Sequence, residues 1–245
     1  MSGIGHGVVK YLLLRPNTTV IAGVRDPANA AAKALSNLPT ASGTGLIVVK
    51  IDSLSETDSQ AAVQLLQSEH GIEKLDIVIA NAGIAKYAGL ACETPIAEMR
   101  DHFEVNAIGP LILFQATKPL LERSLLPKFV VTTSRAGSIG DMDFGQLPVT
   151  AYGSSKAAVN YIVRKIHFEN PNLIAFAIHP GCVLVILKRS APAMANVVGP
   201  DGRKQIWEMR VPQLRACLKP LSRSNEALQV FWPRLVFQLP SKLDK

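Results

Sequence analysis

The stretch Tyr152-Gly153-Ser154-Ser155-Lys156 sets a phenol and an ammonium four residues apart. On a helix, positions i and i+4 share a face, so both groups can point into one cleft. A phenol with a pKa of about 10 is a poor acid or base at neutral pH, and a neighbouring cation favours the phenolate and draws that pKa toward the working range. Such a pair could pass a proton to or from an oxygen, the step that interconverts a carbonyl and an alcohol. The same spacing is met by a surface tyrosine beside a solvated lysine, so the elements around it have to decide.

Residues 1–185 alternate strand and helix signals, the pattern of a parallel sheet covered on both faces. Short apolar, β-branched runs predict strands at 18–24, 46–51, 75–80, 129–133 and 173–178. Helical spacing predicts helices from Asp58 to His70, from Ile96 to Leu121 and from Ala151 to Phe168. Five strands with helical crossovers imply an α/β fold, a doubly wound, Rossmann-like parallel sheet. The Tyr152–Lys156 pair then rides on the helix that follows the fourth of these strands. Both ends depart from the alternation. The chain opens in a glycine-rich turn, Gly3-Ile4-Gly5-His6-Gly7, running into a helix-like Val8 to Leu14 with no strand ahead of it, so the sheet is expected to lack its first central strand. Beyond Val185 the pattern fades into proline-interrupted, basic sequence with one strand candidate at Gln229-Val230-Phe231-Trp232.

A chain of 245 residues suits one domain, read as residues 1–185 carrying the α/β unit and residues 186–245 a divergent basic segment, in the same domain or poorly ordered. Hydrophobic content of 48% and charged content of 18% exclude a disordered chain. No apolar run reaches the ~20 residues that span a bilayer, and the start has neither a basic nor a long apolar leader region, so no membrane association is expected. Cys92, Cys182 and Cys217 are scattered, with neither metal-ligand spacing nor an even count, which points to a reducing, cytoplasmic setting and no metal. The net charge of +7 is local: residues 1–185 hold 15 Lys+Arg against 15 Asp+Glu, and residues 186–245 hold 11 against 4. These charges are dispersed and form no nucleic-acid motif, so they read as a solvated surface.

Taken in chain order, the motifs over about residues 2–183 resemble the short-chain dehydrogenase/reductase family. Ala80-Asn81-Ala82-Gly83 resembles its NNAG element, which would make Asn81 a stabiliser of the central sheet with its backbone on the adenosine side of the cofactor. Asn106 matches the helix asparagine that supports a proton relay to the lysine. Ser134, in Thr133-Ser134-Arg135-Ala136-Gly137, matches the serine that polarises the substrate carbonyl, and Ser138 is a competing candidate nearer to Tyr152. Tyr152 and Lys156 would be the catalytic pair, with Lys156 also holding the nicotinamide ribose. Gly140 to Val149 reads as an inserted loop near the substrate. Gly3, Ile4 and Gly5 look like the back half of the TGxxxGxG turn that meets the pyrophosphate at a helix N-terminus. Arg25 sits where the family reads the adenosine ribose and suits a 2′-phosphate, which favours NADP(H), while Asp26 next door keeps NAD(H) open. Asp52 resembles the residue bonded to the adenine amino group, and His179-Pro180-Gly181-Cys182-Val183 the segment whose backbone meets the carboxamide.

A closer likeness, carried by residues 15–27 and by Ala136-Gly137-Ser138-Ile139-Gly140, is to fungal ketoreductases of polyketide secondary metabolism, of the norsolorinic acid ketoreductase type. The resemblance implies NADPH-dependent reduction of a ketone, a polyketide or aromatic carbonyl, and a homodimer or homotetramer formed through two long helices. Two departures support an alternative, a catalytically impaired or vestigial relative acting as a binding protein. The first glycine of the turn is missing with its strand, and Val185 stands where the family has a cofactor-contacting threonine.

Overall fold

The computed structural model describes residues 3–142 and 147–181, together with the backbone of 228–233. Its centre is one parallel sheet built from β1 (Thr18–Val24), β2 (Gly45–Lys50), β3 (Ile77–Ala80), β4 (Lys128–Thr132), β5 (Ile174–Ile178) and β6 (Leu228–Pro233), in the order β2-β1-β6-β3-β4-β5. The strands are apolar on both sides because both sides are covered. In β1, Ile21 packs on one face, while Val20, Ala22 and Val24 pack on the other. In β3, Val78 and Ala80 join the first face and Ile77 and Ile79 the second.

The first face is covered by α3 (Asp58–His70), α5 (Gly109–Leu121) and α6 (Thr150–Glu169), through Ala62 and Leu66, Leu113 and Leu120, and Val159 and Val163. The second is covered by α1 (Ile4–Leu13), whose Val8, Val9, Leu12 and Leu13 are buried at i, i+1, i+4 and i+5, and by the short α2 (Ala30–Lys33). Among the described residues, no helix is long and apolar enough to cross a membrane.

Two expectations change. The helix expected without a break from Ile96 to Leu121 is α4 (Ile96–Phe103) and α5 joined through a π-helical turn, Glu104–Ile108. That turn carries Asn106, and wide turns of this kind are frequent at functional sites. The centre of the sheet, expected to lack a strand, holds β6. It pairs in parallel with β1 from Thr18↔Leu228 to Gly23↔Pro233, and with β3 at Ile77↔Val230 and Val78↔Phe231. The reason is backbone satisfaction: β1 and β3 would each present an unpaired edge in the interior, and a strand between them meets both. The apolar run at 229–232 was readable as a strand, but its partners lie 210 residues away in β1 and 153 residues away in β3.

In an open parallel sheet, ligands bind beyond the carboxyl ends of the strands. The residues following Val24, Lys50, Ala80, Thr132 and Ile178 all gather along that edge. α1 leads through a short turn into the start of β1, so the N-terminus of α1 lies at the same edge.

Candidate active site

Three consecutive residues at the end of β4 meet three residues of one stripe of α6. The Lys156 ammonium donates to the Thr132 carbonyl at 2.9 Å. The Thr133 hydroxyl donates to Asn160 Oδ1 at 2.6 Å. Ser134 acts on the Tyr152 phenol as a polar neighbour that draws its pKa down against burial. Tyr152, Lys156 and Asn160 follow the i, i+4, i+8 spacing that puts them on one face. Lys156 is buried, and its Nζ lies 5.7 Å from the centre of the half-buried Tyr152 ring. Of the two serine candidates, it is Ser134 that influences the phenol's pKa.

Small residues allow this closeness. Ser134 accepts from the Ala136 amide at 3.2 Å and opens a single 3-10 turn, Arg135–Gly137, that lies against α6. A Cβ on Gly137 would fall 2.6 Å from the Lys156 carbonyl carbon, and one on Gly153 would fall 2.8 Å from the Ala136 carbonyl oxygen. The serine loop and the Tyr–Lys helix are therefore in backbone contact.

Burial sets the charges here. It pushes the Tyr152 phenol above its ordinary value, with Ser134 pulling the other way. It pushes the Lys156 ammonium down to about 8. The expected cation-driven lowering of the phenol is thus reversed: desolvation dominates, and the ammonium is turned toward Thr132. The phenol is protonated at neutral pH, the state a proton donor needs.

Asn106 ties this centre to the loop after β3. Its side-chain oxygen accepts from the Ile84 amide at 2.7 Å, and its Nδ2 donates to the Ile84 carbonyl and to Ser155 Oγ, each at 2.9 Å. One turn earlier, buried His102 accepts from the Lys86 amide at 3.3 Å and pairs through Nδ1 with the Glu98 carbonyl at 2.7 Å. Asn81 accepts from Thr132 Oγ1 at 3.2 Å, while its buried Nδ2 has no partner among the described residues. His102 and Asn160 escaped the sequence reading. Asn160 could have been found by continuing the Tyr152–Lys156 period by one turn; nothing local marks His102.

The cofactor-side candidates sit along the same edge. Gly3 caps α1 with φ 96° and offers no side-chain cap, which leaves the first-turn amides near Ile4 and Gly5 free for an anion. Arg25, exposed just past β1, makes no ion pair among the described residues, and Asp26 spends a carboxylate oxygen on the Ala28 amide at 2.9 Å. Asp52, half-buried past β2, accepts from the Leu54 amide at 3.1 Å and lines a small, shallow recess with Ile51, Ser53, Ala80 and Ala82. Gly181 is described, but Val183 and residues 143–146 of the expected inserted loop lie outside the described residues.

Residues 1–195 match the short chain dehydrogenase family. The chain is 46% identical over 183 residues to a norsolorinic acid ketoreductase of Aspergillus parasiticus, covering 74% of this chain and 67% of that one. It is 39% identical over 202 residues to the short chain dehydrogenase gsfK of Penicillium aethiopicum, covering 81% and 79%. Among solved structures it resembles an NADPH-bound carbonyl reductase from chicken fatty liver, with 28% identity, a TM-score of 0.68 and 78% and 79% of the chains covered.

Proposed function

The chain belongs to the short chain dehydrogenase family of oxidoreductases, and from that premise we propose that it is an NADPH-dependent ketoreductase acting on a ketone of an aromatic polyketide. The observation that carries this reading is the joining of Ser134, Tyr152 and Lys156 where the end of β4 abuts α6. A dinucleotide fits the edge beside it. The open N-terminus of α1 at Gly3 and Gly5 suits a pyrophosphate, and Asp52, beside a shallow recess on the same edge, is assigned to the adenine by the family resemblance. The Arg25 guanidinium, without an ion pair among the described residues, suits a 2′-phosphate, whereas the Asp26 carboxylate that would favour an unmodified ribose is engaged by Ala28. The loop at Gly181 and Val183 is assigned to the carboxamide by the family resemblance.

When bound, NADPH supplies the hydride that reduces the carbonyl carbon. The Ser134 hydroxyl donates to the carbonyl oxygen and polarises it. Tyr152, protonated at rest, gives its proton to that oxygen as the alcohol forms. Lys156, with its pKa near 8, stabilises the phenolate left behind and is poised to return a proton, with the Asn106 turn next to it. The relatives named norsolorinic acid ketoreductases support an aryl ketone on a fused aromatic system as substrate. A second copy packed on α6, where Tyr161 and Phe168 are 69% and 66% exposed, would give the homodimer or homotetramer.

Purified protein incubated with norsolorinic acid should consume NADPH faster than NADH and yield the alcohol. Absence of turnover, together with no thermal shift on adding NADPH, would instead support the binding-protein reading.

A further inference from the structure

We propose that Asn160 is a positioning residue for the Ser134 hydroxyl, clasping the serine loop at both ends. The proposal rests on the reading of Ser134 as the carbonyl-polarising group. Among the described residues, Asn160 makes no hydrogen bond to Ser134 or Tyr152. Its carboxamide spans the loop: Oδ1 accepts from the Thr133 hydroxyl at 2.6 Å, just before Ser134, and Nδ2 donates to the Gly137 carbonyl at 3.3 Å, just after it. The chemistry fixes this orientation. A carbonyl only accepts, so the amide nitrogen must face Gly137, and the oxygen is left for a hydroxyl that must donate.

The rest of the loop needs such a clasp. Ser134 is held from within by its own turn, through the Ala136 amide to Ser134 Oγ at 3.2 Å and the Gly137 amide to the Ser134 carbonyl at 3.0 Å. Beyond that turn Ile139 and Met142 are 75% and 68% exposed, so the loop has few apolar anchors of its own on that side. Gly137 lies flat on α6 with no side chain to lock it. Asn160 is the side chain of α6 that fixes both flanks of the serine to the helix that carries Tyr152. Its loss would let the loop lift and carry the Ser134 hydroxyl away from the phenol without disturbing Tyr152 or Lys156.

The test uses the full chain and two readouts. The first follows the Tyr152 ring carbon in protein labelled with ¹³C-tyrosine, assigned with Tyr152→Phe, through an alkaline titration. Ser134 favours the phenolate, so Asn160→Ala should raise the titration midpoint of Tyr152, and Ser134→Ala should raise it at least as far. Thr133→Val, which removes only one end of the clasp and is close in size, should raise it less. Asn160→Asp keeps the acceptor for Thr133 but sets a carboxylate against the Gly137 carbonyl, and should behave like Asn160→Ala. The second readout is kcat with norsolorinic acid and NADPH. It should fall about tenfold in Asn160→Ala, with little added loss when Ser134→Ala is already present, because both act through one hydroxyl. An unmoved Tyr152 titration in Asn160→Ala and Thr133→Val, or kinetic losses that multiply in the double variant, would overturn the clasp. A shifted titration in a protein that reduces no ketone would leave the clasp standing and remove the proposed substrate instead.

Discussion

Replacing Lys156 by methionine should stabilise the protein at neutral pH while disabling it, and the gain should fade in alkali. Folding buries the Lys156 ammonium and lowers its pKa from the ordinary 10.5 to about 8. Because the charged form is the one disfavoured, the cost of burial is fully present below pH about 8 and fades as the pH rises toward the unfolded value. At about 1.36 kcal/mol per unit, the cost near pH 7 is about 3 kcal/mol. Methionine removes that cost but leaves the Thr132 carbonyl without the donor it meets at 2.9 Å, a loss of about 1–2 kcal/mol. The net expectation near pH 7 is a variant about 1–2 kcal/mol more stable than the parent. Near pH 9.5, about 2 kcal/mol of the original cost has already been relieved in the parent, so the advantage disappears or reverses. Urea denaturation of both proteins at the two pH values measures the difference directly, and other titrating groups cancel between them. A variant whose stability relative to the parent is the same at both pH values would refute the burial argument.

Other substitutions probe other parts of the account. Arg25→Ala should raise KM for NADPH by about 10- to 100-fold and leave KM for NADH nearly unchanged, as expected for loss of a charge-assisted bond to a phosphate. Gly137→Ala would put a methyl 2.6 Å from backbone of α6, so the serine loop must shift; urea denaturation should show a loss of about 1–3 kcal/mol, and kcat should fall at least tenfold. Asn106→Ala strands the Ile84 amide and carbonyl, while the Ser155 hydroxyl keeps its bond to the Tyr152 carbonyl, and should destabilise the fold by about 2–4 kcal/mol in the same assay.

The readability of the fold in the sequence followed the range of the interactions. β1 and α3 were legible to the residue because strand and helix periodicities are local, and their ends are marked by Gly71 after α3 and by Arg25-Asp26-Pro27 after β1. The π turn at Glu104–Ile108 was not, although Gly109-Pro110 just after it is a pair that the interior of a plain α-helix disfavours. The place of β6 could not be read either: an apolar run announces a strand but not its neighbours.

The candidate site divides in the same way. Tyr152 and Lys156 were visible because their spacing is a helical turn, and Ser134 because it follows a strand. The direction of the Tyr152 shift was misjudged, since spacing shows a nearby cation but not how deeply both groups are buried. His102 and Asn160 act on backbone and side-chain groups that only folding brings near them.

The central claim, that Tyr152 delivers a proton to a ketone reduced by NADPH at this site, is tested most directly with NADPH deuterated at C4. Incubated with norsolorinic acid, the parent protein should place one deuterium on the carbinol carbon of the product, and Tyr152→Phe should form that product at least ~100-fold more slowly. An unlabelled product, no product from the parent, or undiminished labelling by Tyr152→Phe would contradict the claim.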